Sequence, residues 1–590
     1  MSTFKISLKI KIILPLFISS ILILFVSLVN NPGNGIIVSQ GDQYSIINSR
    51  YISENYVFQW LSFREFGVAT ISHVNLLFYN IFYVLLDNFN LQEKATLLWI
   101  FSFLSLSFTS SLFACKIIVK DISIENAILC ALFYTFNQST FNHLSTGWGF
   151  SPYIYFYIFF PLTFALFIKA LFTDRIFYSV LAGVSSVLLL PSFMHPAFFY
   201  EFLFVTFLFI LIFFTTKCAK ITKLAVVNIF AFYSIAIMVS LFWIFPSVNS
   251  IAGNQGIQSA KESLIDWISW QVVPFIQSFR LIFIKDWNLY PYYFQYGYIL
   301  KFLILILSFF PIVLLGLYLL QRKKNRLVLS TILFLLIYLF LMKKVYPPFG
   351  FLNMLSFKYI PFIYLLRSTD KWMMPLTFFL AFILGHVLNH LSKEKKFKQF
   401  SAIIFSIIIV YSLPFWSGQL IKGGYFETQR FDYTVKVPQY YYQMANYVNG
   451  LEEENYKVMS EPYVDTPWVS YNWRHEDTHK TYRFIGEDPT ALLFDKPPIN
   501  PKTRISGFAF NKKISFEEFK SCQWYYRLYS LLNVKYVLFH DDAPKIEAER
   551  FEKNMLAGTS KNMKLKKEFN SLRFYELNAD FVRPLIYCSE

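Results

Sequence analysis

Charged residues are scarce in this sequence, and their scarcity is the first constraint on the class of protein. Only 15% of the 590 residues are charged, whereas 55% are hydrophobic and 21% are aromatic. A soluble domain averages about 25% charged and about 45–50% apolar residues. The composition therefore indicates a protein whose solvent is largely lipid.

Cysteine is rare as well, and two common catalytic motifs are missing. The five cysteines form no Cys-x-x-Cys pair and no metal-ligand spacing. Cys522 and Cys588 could form one disulfide, and the sequence leaves that pairing open. The chain has no phosphate-cradling glycine loop and no Gly-x-Ser-x-Gly motif, which leaves ATP-driven transport unsupported.

What the chain has instead is a series of uncharged apolar runs of about 17 or more residues, each long enough to cross a ~30 Å hydrocarbon core as a helix. The run after Lys11 is too long for a secretory signal and predicts a retained first helix. We predict about eleven transmembrane helices, near 12–29, 96–115, 124–140, 151–169, 177–192, 197–215, 224–245, 299–320, 326–342, 374–391 and 400–416.

The net charge of +17 is distributed unevenly, and its distribution predicts orientation rather than a nucleic-acid partner. Residues 418–590 carry 24 basic and 23 acidic side chains, so nearly all of the excess lies in residues 1–417. There the basic residues cluster in short loops between apolar runs, as cytoplasmic loops do. This pattern predicts a multi-pass protein of the plasma membrane, with the N-terminus inside and the tail outside.

The predicted fold is an α-helical polytopic membrane domain, residues 1–417, followed by an extracytoplasmic α/β domain, residues 418–590. Within this tail we predict helices at 438–451 and 516–532 and strands at 457–461 and 534–540. The membrane domain has three long outer loops, and the segment Val74–Asn88 in the first is predicted to lie flat at the interface. The outer loops are residues 31–95, 246–298 and 343–373.

The first outer loop carries the carboxylates that are candidates for acid–base chemistry. Asp42 stands in Gly41-Asp42-Gln43, about a dozen residues beyond the first helix, and Glu65 follows in the same loop. A carboxylate just above the membrane suits a general base, because partial desolvation raises its pKa toward working pH. The alternative is a solvated carboxylate or a helix N-cap.

The third outer loop ends with two cations, Arg367 and Lys371, four residues apart and so on one face of a helical turn. Such a pair at the headgroup level can bind a phosphate, with arginine as a fork and lysine as a point charge. The alternative is that both cations snorkel at a helix end, with Trp372 as an interface anchor.

Other polar and aromatic residues on the outer side are candidates for the same site. Glu201 lies one turn into a predicted span that begins after His195, and it could act in the site or complement a helix N-terminus. Trp267 and Trp270 could stack on sugars or belong to the aromatic belt. His386 and His390 share a helix face and are predicted to pack rather than to bind a metal.

Several motifs, in this order, resemble the GT-C class of membrane glycosyltransferases, and in particular its alpha-(1→3)-arabinofuranosyltransferase-like branch. The early Gly41-Asp42 is followed by a Leu-Phe-Tyr-Thr-Phe-Asn stretch at 132–137 and the aromatic run 153–168. Next come Leu-Arg-Ser-Thr-Asp-Lys at 366–371 and Leu-Leu-Asn-Val-Lys-Tyr-Val-Leu at 531–538. Serine at position 368 departs from the acidic residue that is usual in the family.

The resemblance implies transfer of a sugar from a polyprenyl phosphate donor to a cell-envelope glycan or glycolipid on the outer face, with inversion. It implies that Asp42 is the catalytic base and that Arg367 and Lys371 bind the donor phosphate. No cofactor is predicted. A divalent metal is not favoured, because Asp42 has no adjacent carboxylate to share it. The sugar, the acceptor and the oligomeric state are left open.

Two other classes of function remain open from the sequence. A lipid or glycan flippase would show repeats, broken helices and midplane charges, none of which is clear here. A noncatalytic scaffold of envelope assembly would keep the fold without the chemistry.

The Asp42→Asn variant separates an enzyme from a scaffold. Because a general base contributes about 10²–10⁴-fold to rate, we expect the variant to lose sugar transfer by that factor while its expression in the membrane is unchanged. The measurement is transfer of a radiolabelled sugar in membrane fractions. Equal activity of Asp42→Asn and wild type would contradict a role as base.

Overall fold

The computed structural model describes the apolar helices and a β-sheet in the tail. The described residues are 2–31, parts of 82–89, most of 91–245, 306–307, 309–320, 325–360, 363–366, 369–392, 397–418, 434–451, 456–461, 469–474, 481–486, 490–494, 533–543 and 563–578, with short strands β1 (36–38), β2 (60–61), β3 (68–69), β4 (425–426) and β5 (429–430). They divide into two compact units, residues 1–31 with 96–430, and residues 32–95 with 431–590.

The first unit is built of helices. They are α1 (Ser2–Val29), α2 (Ala95–Ile118), α3 (Ile124–Thr135), α4 (Pro152–Thr173), α5 (Ile176–Ser185, continued by helical turns to Phe193), α6 (Pro196–Thr215), α7 (Lys223–Met238), α8 (Phe310–Leu319), α9 (Arg326–Met342), α10 (Gly350–Tyr359), α11 (Thr369–Leu391) and α12 (Phe397–Tyr411). A turn of 3-10 helix, Ile363–Leu366, precedes α11.

Polar side chains at the helix starts set several of these boundaries. Ser123, Thr222 and Asn325 each accept a hydrogen bond from a backbone N–H in the first turn of α3, α7 and α9. Such caps satisfy N–H groups that have no partner within the helix. The helices therefore begin where a short polar residue precedes an apolar run, as the sequence pattern indicates.

Five of the described helices are long and apolar enough to cross a membrane, namely Leu97–Ile118, Tyr153–Thr173, Ile176–Phe193, Pro196–Thr215 and Lys371–Leu391. Six shorter apolar helices of 10–17 residues coincide with other predicted spans. Several helices of this kind are typical of a multi-pass membrane protein. The total of about eleven spans stays a prediction, and the interfacial helix predicted at 74–88 lies largely outside the described residues.

Phenylalanine rings fill the centre of the helical unit. Phe379 of α11 contacts three other helices, with its ring centroid 5.1 Å from Phe164 of α4, 5.6 Å from Phe209 of α6 and 4.5 Å from Phe334 of α9. Helices in lipid associate through packing rather than through a hydrophobic driving force. The abundance of aromatic residues therefore has a structural use, since each large ring contacts several helices at once.

The second unit contains a four-stranded sheet made of β7 (Lys457–Glu461), β10 (Val534–His540), β11 (Met563–Phe569) and β12 (Leu572–Leu577). The strands lie in the order β11–β12–β10–β7; β10 and β7 run parallel and the other neighbours antiparallel. Strands β7 and β10 have the predicted bounds. The predicted helix at 438–451 is observed as α13 (Gln439–Asn449), whereas the one at 516–532 lies outside the described residues.

Part of the first predicted outer loop belongs to this second unit. The strand β1 (Ile36–Val38) pairs antiparallel with β6 (Thr434–Lys436), joining segments that are almost 400 residues apart in the chain. Sequence patterns assigned the two strands to different domains. These contacts do not test the predicted domain boundary between residues 417 and 418.

A single glycine allows α5 and α7 to pack closely. A Cβ on Gly183 would lie 2.7 Å from the Cβ of Ile235, whereas one on Gly316 of α8 would have no atom within 4 Å. We expect Gly183→Ala to lower the thermal midpoint of the detergent-solubilised protein, because overpacking costs about 1–3 kcal/mol. Gly316→Ala is the matched control, since both glycines lie within helices. Equal thermal midpoints for the two variants would show that α7 shifts to accommodate the added Cβ without loss of stability.

Candidate functional site

A buried carboxylate and a buried ammonium lie within the helical unit. Glu201 of α6 is fully buried and Lys371 of α11 is 4% exposed. Each lies in a helix that is apolar enough to span a membrane. An ionised group in such surroundings is costly unless it has a partner, so the contacts of these two side chains decide what they can do.

Glu201 is bound by a tyrosine that the sequence analysis did not select. The Tyr338 hydroxyl of α9 donates a 2.8 Å hydrogen bond to Oε1 of Glu201. The other oxygen, Oε2, is buried and accepts no hydrogen bond from the described residues. The alternative that Glu201 complements a helix N-terminus is not supported, because it is the sixth residue of α6 and lies beyond the first turn.

Lys371 lies in the first turn of α11 and is held by a carbonyl and an aromatic ring. Its ammonium donates to the backbone oxygen of Leu365 at 3.2 Å and lies 5.8 Å from the ring centroid of Phe198. A snorkelling cation would reach solvent, so this alternative does not describe the burial of Lys371.

Trp372 is buried against Tyr338 instead of anchoring the helix at the membrane interface. It is 1% exposed, and its indole N–H donates to the carbonyl of Leu366 at 2.6 Å. Its ring centroid lies 4.7 Å from that of Tyr338. The prediction of an interface anchor is therefore wrong for Trp372. Neither Tyr338 nor Trp372 has a local sequence signal that separates it from the many other aromatic residues.

The remaining predicted site residues are placed only in part. His195 is exposed at the start of α6, where its Nδ1 accepts from the N–H of Ala197 at 3.3 Å and caps the helix. His386 packs edge-on against Phe382. The other residues, Asp42, Glu65, Trp267, Trp270 and Arg367, lie outside the described residues. That Arg367 and Lys371 lie on one face of a helix therefore stays a prediction.

The Leu-Phe-Tyr-Thr-Phe-Asn motif has a structural role at the end of α3. Tyr134 and Tyr157 stack with their centroids 4.4 Å apart, and the Tyr134 hydroxyl donates to the carbonyl of Tyr157. The Asn137 side chain donates to the Tyr157 hydroxyl at 2.8 Å, and Thr140 donates to it as well. The motif thus fixes α3 against α4, and all these contacts are buried.

The tail motif Leu-Leu-Asn-Val-Lys-Tyr-Val-Leu at 531–538 also contributes to the core of its unit. In β10 the side chains of Val534, Val537 and Leu538 are fully buried, and the strand lies between β12 and β7. Next to its end, Asp542 accepts hydrogen bonds from the hydroxyls of Tyr440 and Tyr441, at 2.9 and 2.8 Å. These bonds attach α13 to the sheet.

The next feature is the arrangement of side chains that could bind a metal ion. Among the described residues, no three His, Cys, Asp or Glu side chains are grouped closely enough to bind a metal ion. The sequence does contain a His-Glu-x-x-His pattern at 475–479, which the sequence analysis missed. It falls between β8 (Val469–Arg474) and β9 (Thr481–Gly486), which pair antiparallel up to Arg474 and Thr481. The zinc motif requires a helix, and residues 475–480 lie outside the described residues.

Comparisons with known proteins find neither a matching family model nor a matching curated protein. Among solved structures, two of the Archaeoglobus fulgidus oligosaccharyltransferase are similar. The complex with zinc and sulfate is 11% identical with a TM-score of 0.42, covering 89% of this chain and 68% of that chain. The form tethered to an acceptor peptide is 12% identical with a TM-score of 0.44, covering 99% and 76%.

A third similar structure is ArnT from Cupriavidus metallidurans bound to undecaprenyl phosphate. It is 9% identical with a TM-score of 0.43, and the match covers 97% of this chain and 99% of that chain. Similarity at this level does not establish a shared fold.

Removing one hydroxyl tests the attachment of α13 to the sheet. Tyr441→Phe deletes a donor to a buried carboxylate, and hydrogen bonds to charged groups are worth about 1.5–3 kcal/mol. We expect faster hydrogen exchange of the β10 backbone in the full-length protein. Tyr442→Phe is the matched control, because Tyr442 packs against the same core and its hydroxyl bonds to none of the described residues. Identical exchange in both variants would exclude the proposed attachment.

Proposed function

We propose that this protein is an integral membrane glycosyltransferase that moves a sugar from a polyprenyl phosphate donor to a cell-envelope glycan or glycolipid. What supports the proposal is the order of the motifs along the chain, the series of apolar helices and one observation on Lys371. Its ammonium is buried at the start of an apolar helix, where few ligands other than a membrane-embedded anion would suit it.

The proposed reaction is a displacement at the anomeric carbon of the donor sugar. The carboxylate of Asp42 takes the proton of the acceptor hydroxyl, and that oxygen forms a bond to the anomeric carbon from the face opposite the phosphate. The bond between the anomeric carbon and the phosphate oxygen breaks, and the phosphate leaves with the electron pair. A single displacement of this kind inverts the configuration.

Arg367 and Lys371 are proposed to bind the donor phosphate and to stabilise it as the leaving group. Negative charge on the bridging oxygen develops as the bond breaks, so a preorganised cation lowers the barrier more than it stabilises the bound donor. Low exposure of Lys371 strengthens this effect, because water does not screen the interaction. No step of the scheme needs a metal ion.

The proposed location follows from the charge pattern. With the N-terminus inside and the tail outside, the long loops and both candidate groups face the outer side of the plasma membrane. A lipid-linked donor then supplies the sugar where nucleotide sugars are absent. Glu65, Trp267 and Trp270 remain candidates for contacts to the sugar or the acceptor.

Lipids that copurify with the protein test the donor site. We expect mass spectrometry of the purified wild type to detect a polyprenyl phosphate or its glycosylated form. In the Arg367→Ala, Lys371→Ala double variant the amount should fall roughly tenfold or more, since each charge-assisted contact contributes about 1.5–3 kcal/mol.

Lys358→Ala is the control for that experiment, because Lys358 is an exposed cation of the same predicted outer segment. Its copurified lipids should match those of wild type. If wild type and double variant carry only ordinary phospholipids, the donor site is disproved and a scaffold becomes the better explanation.

A further inference from the structure

One face of the short helix α10 (Gly350–Tyr359) is apolar and exposed. At 3.6 residues per turn, its four large exposed hydrophobic side chains fall within an arc of about 100°. These side chains are Phe351, Leu352, Leu355 and Tyr359. Lys358 is the one charged residue of the helix and lies at the edge of the arc, where its long stem can keep the ammonium in water. A helix that faces water carries polar residues on such a face, so this face requires an apolar covering.

The length of α10 excludes a crossing of the membrane. Its 10 residues form a helix of about 15 Å, which is half the ~30 Å thickness of the hydrocarbon core. In the chain it stands between α9, which coincides with a predicted span, and the segment Lys371–Leu391, which is long enough to cross. A short helix between two spans meets lipid along its whole face when its axis lies parallel to the membrane surface.

Two features fix α10 to the end of α9. The Asn353 side chain donates to the carbonyl oxygens of Phe340 and Lys344, each at 2.7 Å. These oxygens lie at the C-terminal end of α9, where carbonyl groups lack partners within the helix. A Cβ on Gly350 would overlap the carbonyl oxygen of Val345, so the turn into α10 can be this tight only with glycine. The helix is therefore held at the height of the last turn of α9.

The buried side of α10 connects it to the turn that binds Lys371. Phe357 packs with Ile363 of that turn and with Tyr200 of α6. Two residues further along the turn, the carbonyl of Leu365 accepts a hydrogen bond from the Lys371 ammonium at 3.2 Å. The position of α10 relative to the membrane therefore also sets the depth of Lys371.

Lipid is the covering that agrees with the rest of the helical unit. Along α9 the exposed side chains of Leu329, Leu333 and Leu336 form an apolar stripe, because residues three and four apart share a helix face. Such a stripe on a membrane-spanning helix contacts lipid. Since α10 is fixed to the end of α9, its own face lies at the level where headgroups meet hydrocarbon. Tyrosine is enriched at that level, and Tyr359 stands at the end of the face.

We propose that α10 is an in-plane membrane helix, whose axis is parallel to the surface and whose apolar face is immersed in the lipid leaflet at the end of α9. The charge pattern makes this the outer leaflet. Through Phe357 and the 3-10 turn, α10 then holds Lys371 at headgroup depth, where the phosphate of a lipid lies. The lipid contact is independent of the proposed function, because it needs neither a sugar donor nor an acceptor.

The test maps the face from both phases in the full-length protein embedded in lipid nanodiscs. Hydroxyl radicals oxidise side chains that water reaches, and a photoactivated carbene probe dissolved in the lipid labels those that lipid reaches. Mass spectrometry locates both modifications. Leu355 of α10 and Leu565 of β11 are the matched pair, because both are leucines with 45% exposure. We expect Leu355 to lose its oxidation relative to Leu565 and to gain the carbene label that Leu565 lacks.

Two further positions complete the experiment. Leu333 of α9 is exposed and is the positive control for the lipid phase. Carbene label at both Phe351 and Tyr359, near the two ends of α10, is expected if the axis is parallel to the surface. Label confined to one end would mean that the axis is steep and would overturn the in-plane orientation.

The other outcomes separate lipid from water and from protein. Oxidation of Leu355 equal to that of Leu565 would place the face in water and overturn the proposal. Protection of Leu355 from both reagents, while Leu333 carries the carbene label, would mean that protein covers the face, such as a second copy of the chain. That result would overturn the proposal as well.

Discussion

Polar groups inside an apolar bundle must find partners within the protein, and this constraint shapes the helical unit at every scale. Buried hydroxyls bond back to the preceding turn of their own helix, as Ser27, Thr206, Thr331 and Thr377 do. Side chains of greater reach bond between helices, as Asn228 does to the carbonyl of Ala170. Each such contact removes a desolvation cost that lipid cannot offset.

Aromatic side chains supply the packing that holds these polar contacts in place. Rings from α4, α6, α9 and α11 meet at the centre of the helical unit. Tyrosine adds a hydroxyl to the same kind of contact, so Tyr134, Tyr157 and Tyr338 each combine ring packing with a hydrogen bond. The high Phe and Tyr content therefore reflects the need to specify one arrangement where hydrophobicity alone does not.

The same physics connects structure to the proposed chemistry. A lysine buried at a helix start is unfavourable by itself, and it becomes useful where an anion has to be bound and released beside the membrane. Trp372, the next residue in the chain, packs against Tyr338 of α9, which in turn donates a hydrogen bond to Glu201 of α6. In the proposed function, the leaving phosphate meets an ammonium that the carbonyl of Leu365 and the ring of Phe198 already hold in position. A preset position is the requirement for electrostatic stabilisation without reorganisation.

The sequence by itself determined the features that depend on neighbouring residues. Apolar runs predict where helices lie, and the run of β-branched, aromatic and other apolar residues in 534–540 predicts a strand with its observed bounds. These signals are local, because hydrogen bonds within a helix and the faces of a strand are set by residues a few positions apart.

Only the tertiary structure decided which distant groups meet. Tyr338 binds Glu201 across 137 residues of chain, and Ile36–Val38 pairs with Thr434–Lys436. No local pattern separates Tyr338 from the other 38 tyrosines of the chain or marks Trp372 as buried. Such pairings follow from how whole helices pack, since the cost of an unpaired buried group is decided by the surroundings that packing creates.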